Sequence, residues 1–431
     1  MNKKKAITLI STCSLVSLLA VGCSNGSGGE ASNGGSETIE FMHLWPQGSS
    51  AEHHRIVNEI VADFEEESGI SVDMQVLSNE QYKDQITILS ASNSLPDVGM
   101  TWAAGYLDPF VEGNKFAPLD DLLDDGLREE FVAGTLEAYE KEGETYGLPL
   151  ELNTVYIYYN KSIFDDYQLE VPETYEEFEQ VIHTLKDENV NPIALGNGDR
   201  WTGSMWYMYF ADRIGGSETL TSAIDRSGSF EDEALVEAAA KIQELVENDS
   251  FVSGFNGLAD EEAKSMFMNE QAAMYMIATW DLPNFTTNED IPQEFRDSVG
   301  YFTFPTVEGA GDPKSYVGGP GVGLFISEDS DVKEESKQFA TYFVEQWGER
   351  AVSEAGVLPA TTVDSDALDL PDMYVDVLND LNEATNLTLY ADVQMSAATA
   401  QTHLDLIQSL FGLEITPEEF AEAHENALSD E

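Results

Sequence analysis

Apolar positions along the chain switch repeatedly between a period of two and a period near 3.6. Thr38 to Trp45 is a short apolar run closed by Pro46 and predicts a strand. Ser49 and Glu52 match a capping box, after which Ile56, Ile60 and Phe64, flanked by Val57 and Val61, recur at helical spacing until Gly69. Ile70, Val72, Met74 and Val76 then alternate strictly, Tyr82, Ile86 and Leu89 line a helical face, and Asp97 to Trp102 predicts a third strand. Strand-helix-strand-helix-strand is the pattern of an α/β layer with a largely parallel sheet.

A second set begins after Tyr146. Val155 to Tyr159 and Pro192 to Leu195 read as strands. Between them Thr174 and Glu177 form a capping box ahead of Phe178, Val181, Ile182 and Leu185 at helical spacing. Further helices are predicted over 232–248, 260–269 and 331–347. The last helix carries Thr416 as cap, Pro417 at its first position and Glu419 to complete the box. No short internal repeat and no compositional linker divides this body, so its domains are expected to cross over more than once.

The chain has 431 residues, which suggests two or three domains at roughly 100–200 residues each. Its 81 acidic and 20 basic side chains give −61 at pH 7. With 42% hydrophobic residues a core is available, so the charge belongs to a folded surface rather than to disorder. That surface argues against nucleic acid or an anionic lipid face as partner. It also suggests a saline or alkaline habitat, where short-range screening tames self-repulsion. Two cysteines, Cys13 and Cys23, exclude a disulfide framework or a cysteine-rich zinc site.

The first residues give an address. Lys3 to Lys5 form a basic start, and Ala6 to Ala20 an apolar stretch of signal-peptide length. Val21-Gly22-Cys23 follows and resembles a bacterial lipobox, with Ala20 in the place of the usual aliphatic residue. Cleavage there leaves Cys23 as a lipid-bearing N-terminus. Ser24 to Ser36 is rich in Gly, Ser and Asn and reads as a flexible tether.

Candidate chemistry is sparse. Gly318 to Gly323 is glycine-rich but lacks the lysine of a phosphate loop. Asp120-Asp121 and Asp124-Asp125 lack the calcium-loop pattern and read as a solvated face. Tyr158-Tyr159 reads as strand rather than an iron site, and His53-His54 diverge by roughly 100° on a helix. No metal or cofactor is expected. The tryptophans say more: Trp45, Trp102, Trp201, Trp206 and Trp280 each lie by a turn signal or a strand end, where ligands of open α/β sheets bind. A sugar ring offers an apolar face to an indole and a rim of hydroxyls to carboxylates. Trp347, inside a helix, reads as core.

These pieces resemble the extracellular solute-binding proteins of family 1, the carbohydrate-binding lipoprotein receptors of ABC importers. The marks are Leu95-Pro96-Asp97-Val98 before Trp102, Phe116-Ala117-Pro118-Leu119, Tyr146-Gly147-Leu148-Pro149 leading to Tyr159-Asn160-Lys161, and Pro172 to Phe178. Ala272-Ala273-Met274 before Trp280, Gly318-Gly319, and Leu358-Pro359-Ala360 complete them in order over the whole body.

The resemblance implies an α/β, two-lobe, type II periplasmic-binding-protein-like fold, with hinge crossings near Leu150–Thr154, Ser298–Phe302 and Gly323–Ser327. The implied boundaries are 1–22 for the signal peptide and 23–36 for the tether. They are 37–152 with 299–323 for the first lobe and 153–298 with 324–431 for the second. The implied ligand residues are Trp45, Gln47, Trp102, Glu151, Trp201, Trp206, Trp280, Asp281 and Gly319. Met395-Ser396-Ala397-Ala398 is small where some members carry a large aromatic.

The function implied is capture of a mono- or oligosaccharide for import by a lipid-anchored, monomeric receptor that docks on permease subunits, without catalysis. Two other readings stand beside it. An aromatic cage could hold a quaternary ammonium solute such as betaine by cation–π attraction. A secreted carbohydrate-active enzyme could use Glu151 as general acid, given a second carboxylate. Arg200 beside Trp201 keeps anionic sugars open.

Overall fold

The computed structural model describes residues 38–124, 126–363 and 368–429. The expected signal peptide, the tether and Cys23 lie outside them. Two sheets, each with its own apolar core, carry the body.

The first sheet has the strand order Ser71–Val76, Thr38–His43, Val98–Thr101, Gly323–Ile326, Leu148–Pro149. Its first three strands are parallel, linked by the helices Ala51–Ser68 and Asn79–Ala91, as the periodicity predicts. The helix Ala51–Ser68 buries Ile56, Val57, Ile60, Val61 and Phe64, and ends on Gly69 at φ 74°, a left-handed position that glycine adopts without strain. The capping box at its start does not form. The helix begins one residue later than Ser49 requires, and Glu52 instead pairs with Arg55 at 3.0 Å.

The second sheet is mixed. Its long central strand, Leu152–Asn160, runs antiparallel to Met274–Ala278, Val299–Phe302 and Ser315–Pro320. Ile193–Ala194 and Asn386–Thr388 pair in parallel at its edges. Helices Tyr175–Asp187 and Pro417–Ser429 carry the predicted capping boxes: Thr174 Oγ1 accepts the Glu177 N–H at 3.3 Å, and Thr416 Oγ1 that of Glu419 at 3.2 Å.

Two segments change lobe relative to the expected boundaries. Val299–Phe302 pairs with Ile157–Asn160 and belongs to the second lobe. Gly323–Ile326 fits between Val98–Thr101 and Leu148–Pro149, and the following helix, Lys333–Arg350, buries Phe339, Phe343 and Trp347 in the first core. The first lobe is therefore 38–150 with 322–361, and the second 152–320 with 368–429. Apolar runs mark these strands as buried without saying which sheet takes them, so pairing alone decided the matter.

The hinge is correspondingly compact. Leu150 N–H donates to Val322 O at 2.9 Å, and Gly321 N–H to Glu151 O at 2.8 Å. On the other side Leu152 N–H donates to Leu358 O at 3.0 Å, and Ala360 N–H to Leu150 O at 3.0 Å. Three short extended segments thus lie side by side where the lobes meet. Of the three expected crossings, Leu150–Thr154 runs between the sheets, whereas Val299–Phe302 lies within the second sheet and Gly323–Ile326 within the first, the chain passing between them at Gly321–Val322.

Candidate functional site

The lobes touch across a face built at the carboxyl ends of their strands. From the first lobe, Trp102 follows strand Val98–Thr101, and its ring meets Tyr106 edge-on at 5.0 Å and Tyr82 at 6.2 Å. Lys83 Nζ stands 5.0 Å over the Trp102 ring and 3.3 Å from Glu80 Oε1. From the second lobe, Trp201 opens helix Trp201–Gly215 and meets Trp280 at 5.8 Å and 69°, and Trp280 meets Tyr390 at 5.9 Å. Ala103 and Tyr139 of the first lobe share a small apolar cluster with Val393 of the second, with Trp102 and Tyr390 packed against it. The aromatics from both lobes therefore surround one locus.

The approach is close. A Cβ on Gly105 would lie 2.0 Å from the Met395 carbonyl oxygen, so only glycine lets helix Ala104–Glu112 sit against Gln394–Met395. Tyr139 Oη also donates to Gly321 O at 2.5 Å, tying the first lobe to the hinge.

Charge lines the rim. Burial pushes the Asp199 carboxyl up, Glu80 from the opposite lobe adds to this, and Lys83 and Arg200 pull it back. Asp392 is likewise pushed up by burial and pulled down by Lys83. Helix Asn79–Ala91 thus presents Glu80 and Lys83 to carboxylates of the other lobe. Arg200 is engaged by Asp405 at 2.5 Å.

Several buried polar atoms at this locus have no hydrogen-bond partner among the described residues: Tyr106 Oη, Trp201 Nε1 and Tyr390 Oη. Glu151, at the hinge, has its Oε1 3.1 Å from His53 Nε2 without hydrogen-bond alignment, so neither atom is satisfied there. Burial raises the Tyr390 phenol well above its usual range. Buried donors and acceptors are costly to leave unpaired, and a polyhydroxylated guest would pair them.

The residues expected from the sequence separate into groups. Trp201 and Trp280 meet, Trp102 and Tyr390 pack against one small cluster, and the Glu151 carboxylate faces His53. Trp206 does not join them. It is completely buried among Phe178, Phe251 and Phe304. Five residues along a helix turn a side chain by about 140°, so it faces the core while Trp201 faces the cleft. Trp45 is also core, stacked on Trp347 at 4.6 Å and 4°, with His53 at 5.0 Å. Gln47 is exposed. Asp281 is buried and bound to Lys264 at 2.9 Å. Gly319 is a buried strand residue at φ 137°, with Leu389 against the side where a Cβ would stand.

Tyr390, Tyr106, Lys83, Glu80 and Asp392 also stand at this locus and carry no local signal in the chain. The run Met395 to Ala398 is small, as noted, but the large aromatic sits five residues earlier, and the chain at Met395 is where Gly105 docks. Tyr82 marks one face of its helix, and Glu80 and Lys83 are its near neighbours. Tyr82 itself faces the first core, and no periodicity shows that Glu80 and Lys83 face carboxylates of the other lobe.

A family model described as bacterial extracellular solute-binding protein matches residues 48–346. The multiple sugar-binding protein of Streptococcus mutans is 24% identical over 350 residues, 78% of each chain. A structure solved in work on xylan utilization by the thermophilic bacterium Caldanaerobius polysaccharolyticus is 32% identical, with a TM-score of 0.85 over 90% of this chain and 99% of that one. A chitin oligosaccharide binding protein is 21% identical, with a TM-score of 0.83 over 92% of this chain and 99% of that one, a likeness of fold.

Proposed function

The chain belongs to the bacterial extracellular solute-binding protein family, and from that premise we propose that it captures a mono- or oligosaccharide between its lobes for an ABC importer. The observation that carries this reading is the combination at one locus of indole faces from both lobes with buried, unpaired polar atoms. Trp102, Trp201 and Trp280 supply apolar faces for sugar rings. Trp201 Nε1 can donate to sugar hydroxyls, and Tyr390 Oη can donate or accept. The sugar-binding and chitin-oligosaccharide-binding names of the relatives support the class.

Membership in a family of transport receptors removes the enzyme reading, and with it Glu151 as general acid. Betaine is the weaker cargo, because the Trp102 face already carries the chain's own ammonium from Lys83 at 5.0 Å. The reading extends to a lipid on Cys23, to residence on the outer face of the cell membrane, and to permease subunits that engage the closed, monomeric receptor. A ligand that prefers the closed form drives the lobes together by that difference in affinity.

A thermal-shift screen of the mature domain in high salt tests the cargo, with mono- and oligosaccharides and betaine as probes. A ligand at 100 times its dissociation constant stabilises by about 2.7 kcal/mol, enough for a clear rise in Tm. A shift with one sugar series supports the reading. A shift with betaine alone refutes the cargo. Cys23→Ser should release the protein into the medium, and retention on cells would refute the anchor.

A further inference from the structure

Behind the two second-lobe tryptophans lies a buried polar cluster that the binding reading does not use. Lys264, on helix Asp260–Met268, is only 7% exposed, and its Nζ lies 2.9 Å from Asp281 Oδ1 and 3.2 Å from Glu261 Oε1. Asp281 is 3% exposed and directly follows Trp280. Asn284 Nδ2 donates to Asp281 at 3.2 Å. Tyr275 Oη lies 2.7 Å from Asp260 Oδ1 and 3.4 Å from Asp281 Oδ2, so it bridges the two carboxylates.

The same cluster reaches Trp201 from the other side. Asp260 donates its backbone N–H to Asp199 Oδ2 at 2.8 Å, and Asp199 O accepts the Trp201 N–H at 2.8 Å. The loop that carries Asp199 is pressed onto this helix start. A Cβ on Gly196 would lie 2.4 Å from Ala259 O, and one on Gly198 2.7 Å from Leu258 O. Asp199 therefore has little room to shift without moving Trp201.

Lys264 is the cation of this cluster, facing Asp281, Glu261 and Asp260. A buried carboxylate with no counter-charge is costly enough to turn outward or take a proton. We infer that Lys264 is a positioning residue of the binding site: through Asp281 and the Asp260–Asp199 contact it fixes the angle and separation of Trp280 and Trp201. It touches neither indole's ligand face. Its consequence for affinity rests on the saccharide reading, whereas its consequence for the tryptophan pair does not.

The pair gives a direct signal. Two indoles 5.8 Å apart at 69° couple as excitons and produce a couplet in far-UV circular dichroism. Trp45 and Trp347, stacked at 4.6 Å, can add a couplet of their own, which Trp280→Phe leaves in place as the baseline. Trp280→Phe identifies the Trp201–Trp280 couplet by abolishing it. Lys264→Met should cut its amplitude by more than about half while helix content stays native, because the pair loses its fixed angle. Should Lys264→Met not fold, Asp281→Asn, nearly isosteric, should act in the same direction. A couplet of wild-type amplitude in the folded variant overturns the inference.

Xylotriose, maltotriose and chitotriose then serve as probes. Any that binds the wild type should bind the folded variant about tenfold more weakly, the scale of lost side-chain preorganisation. Equal affinity overturns the inference even with an altered couplet. If none of them binds the wild type, the couplet decides the positioning role, and the broader sugar screen decides the cargo.

Discussion

Acid should unfasten the second lobe through a chain of histidines that the fold holds neutral. His424 Nδ1 lies 2.8 Å from Phe420 O, a pure acceptor, so this nitrogen carries the proton. His424 Nε2 must then accept from His403 Nδ1 at 2.9 Å, and His403 Nε2 from the Ser204 hydroxyl at 2.7 Å. Each proton in the row is assigned, and both imidazoles are completely buried. A further proton on His424 Nε2 would set two donors face to face and bury a charge. Burial is the main cause that pushes His424 down to about 4 from 6.5, against the pull of Phe420 O and Glu425.

The unfolded imidazole takes its proton near 6.5, while the folded one resists until about 4. Stability is therefore full above pH 6.5 and falls as the pH drops towards 4. At about 1.36 kcal/mol per pH unit the whole effect is about 3.4 kcal/mol. About 2 kcal/mol of this is already lost at pH 5. Burial moves His403 and His43 in the same direction, so the protein should show a steep acid limb.

The assay is urea unfolding at pH 7.5 and pH 5.0 in constant high salt, comparing the wild type with His424→Gln. The variant should be weaker at pH 7.5, since it leaves His403 imperfectly paired. Its loss between the two pH values should be smaller than that of the wild type by about 2 kcal/mol. An equal drop in both proteins would refute the reasoning, and carboxylates would then own the acid limb.

Other expectations follow from the same geometry. Gly105→Ala puts a methyl into the Met395 carbonyl and should weaken saccharide binding by tenfold or more in calorimetry, with Tm unchanged or raised; full affinity would mean that the lobes do not close this way. Trp206→Ala should cost about 3–5 kcal/mol of stability, whereas Trp280→Ala should mainly lose affinity, by about thirtyfold, on the scale of a binding hot spot. A stability loss from Trp280→Ala with intact binding would reverse the two assignments. With a net charge of −61, Tm should climb from dilute buffer to molar NaCl as the screening length falls from about 30 Å to about 3 Å; a flat profile would count against a charge-strained surface.

Local elements and their ends are written in the chain, because they depend on near neighbours. The period-two run Val72-Met74-Val76, the helical face of Ile56, Ile60 and Phe64, Gly69 as a left-handed cap, and the boxes at Thr174 and Thr416 can all be read along a few residues. The resemblance also led to the right fold. What it could not fix was partnership. Val299–Phe302 and Gly323–Ile326 are both short apolar strands, and only strand pairing assigned each to its sheet. Trp201 and Trp206 stand on one helix with equal claims as platforms, and the helical turn between them sends one to the cleft and the other to the core. Tyr390, Lys83 and Glu80 face the opposite lobe only because two distant segments are folded face to face. Tertiary structure decided these points because burial and charge pairing depend on what lies opposite a residue, and the chain alone does not record that.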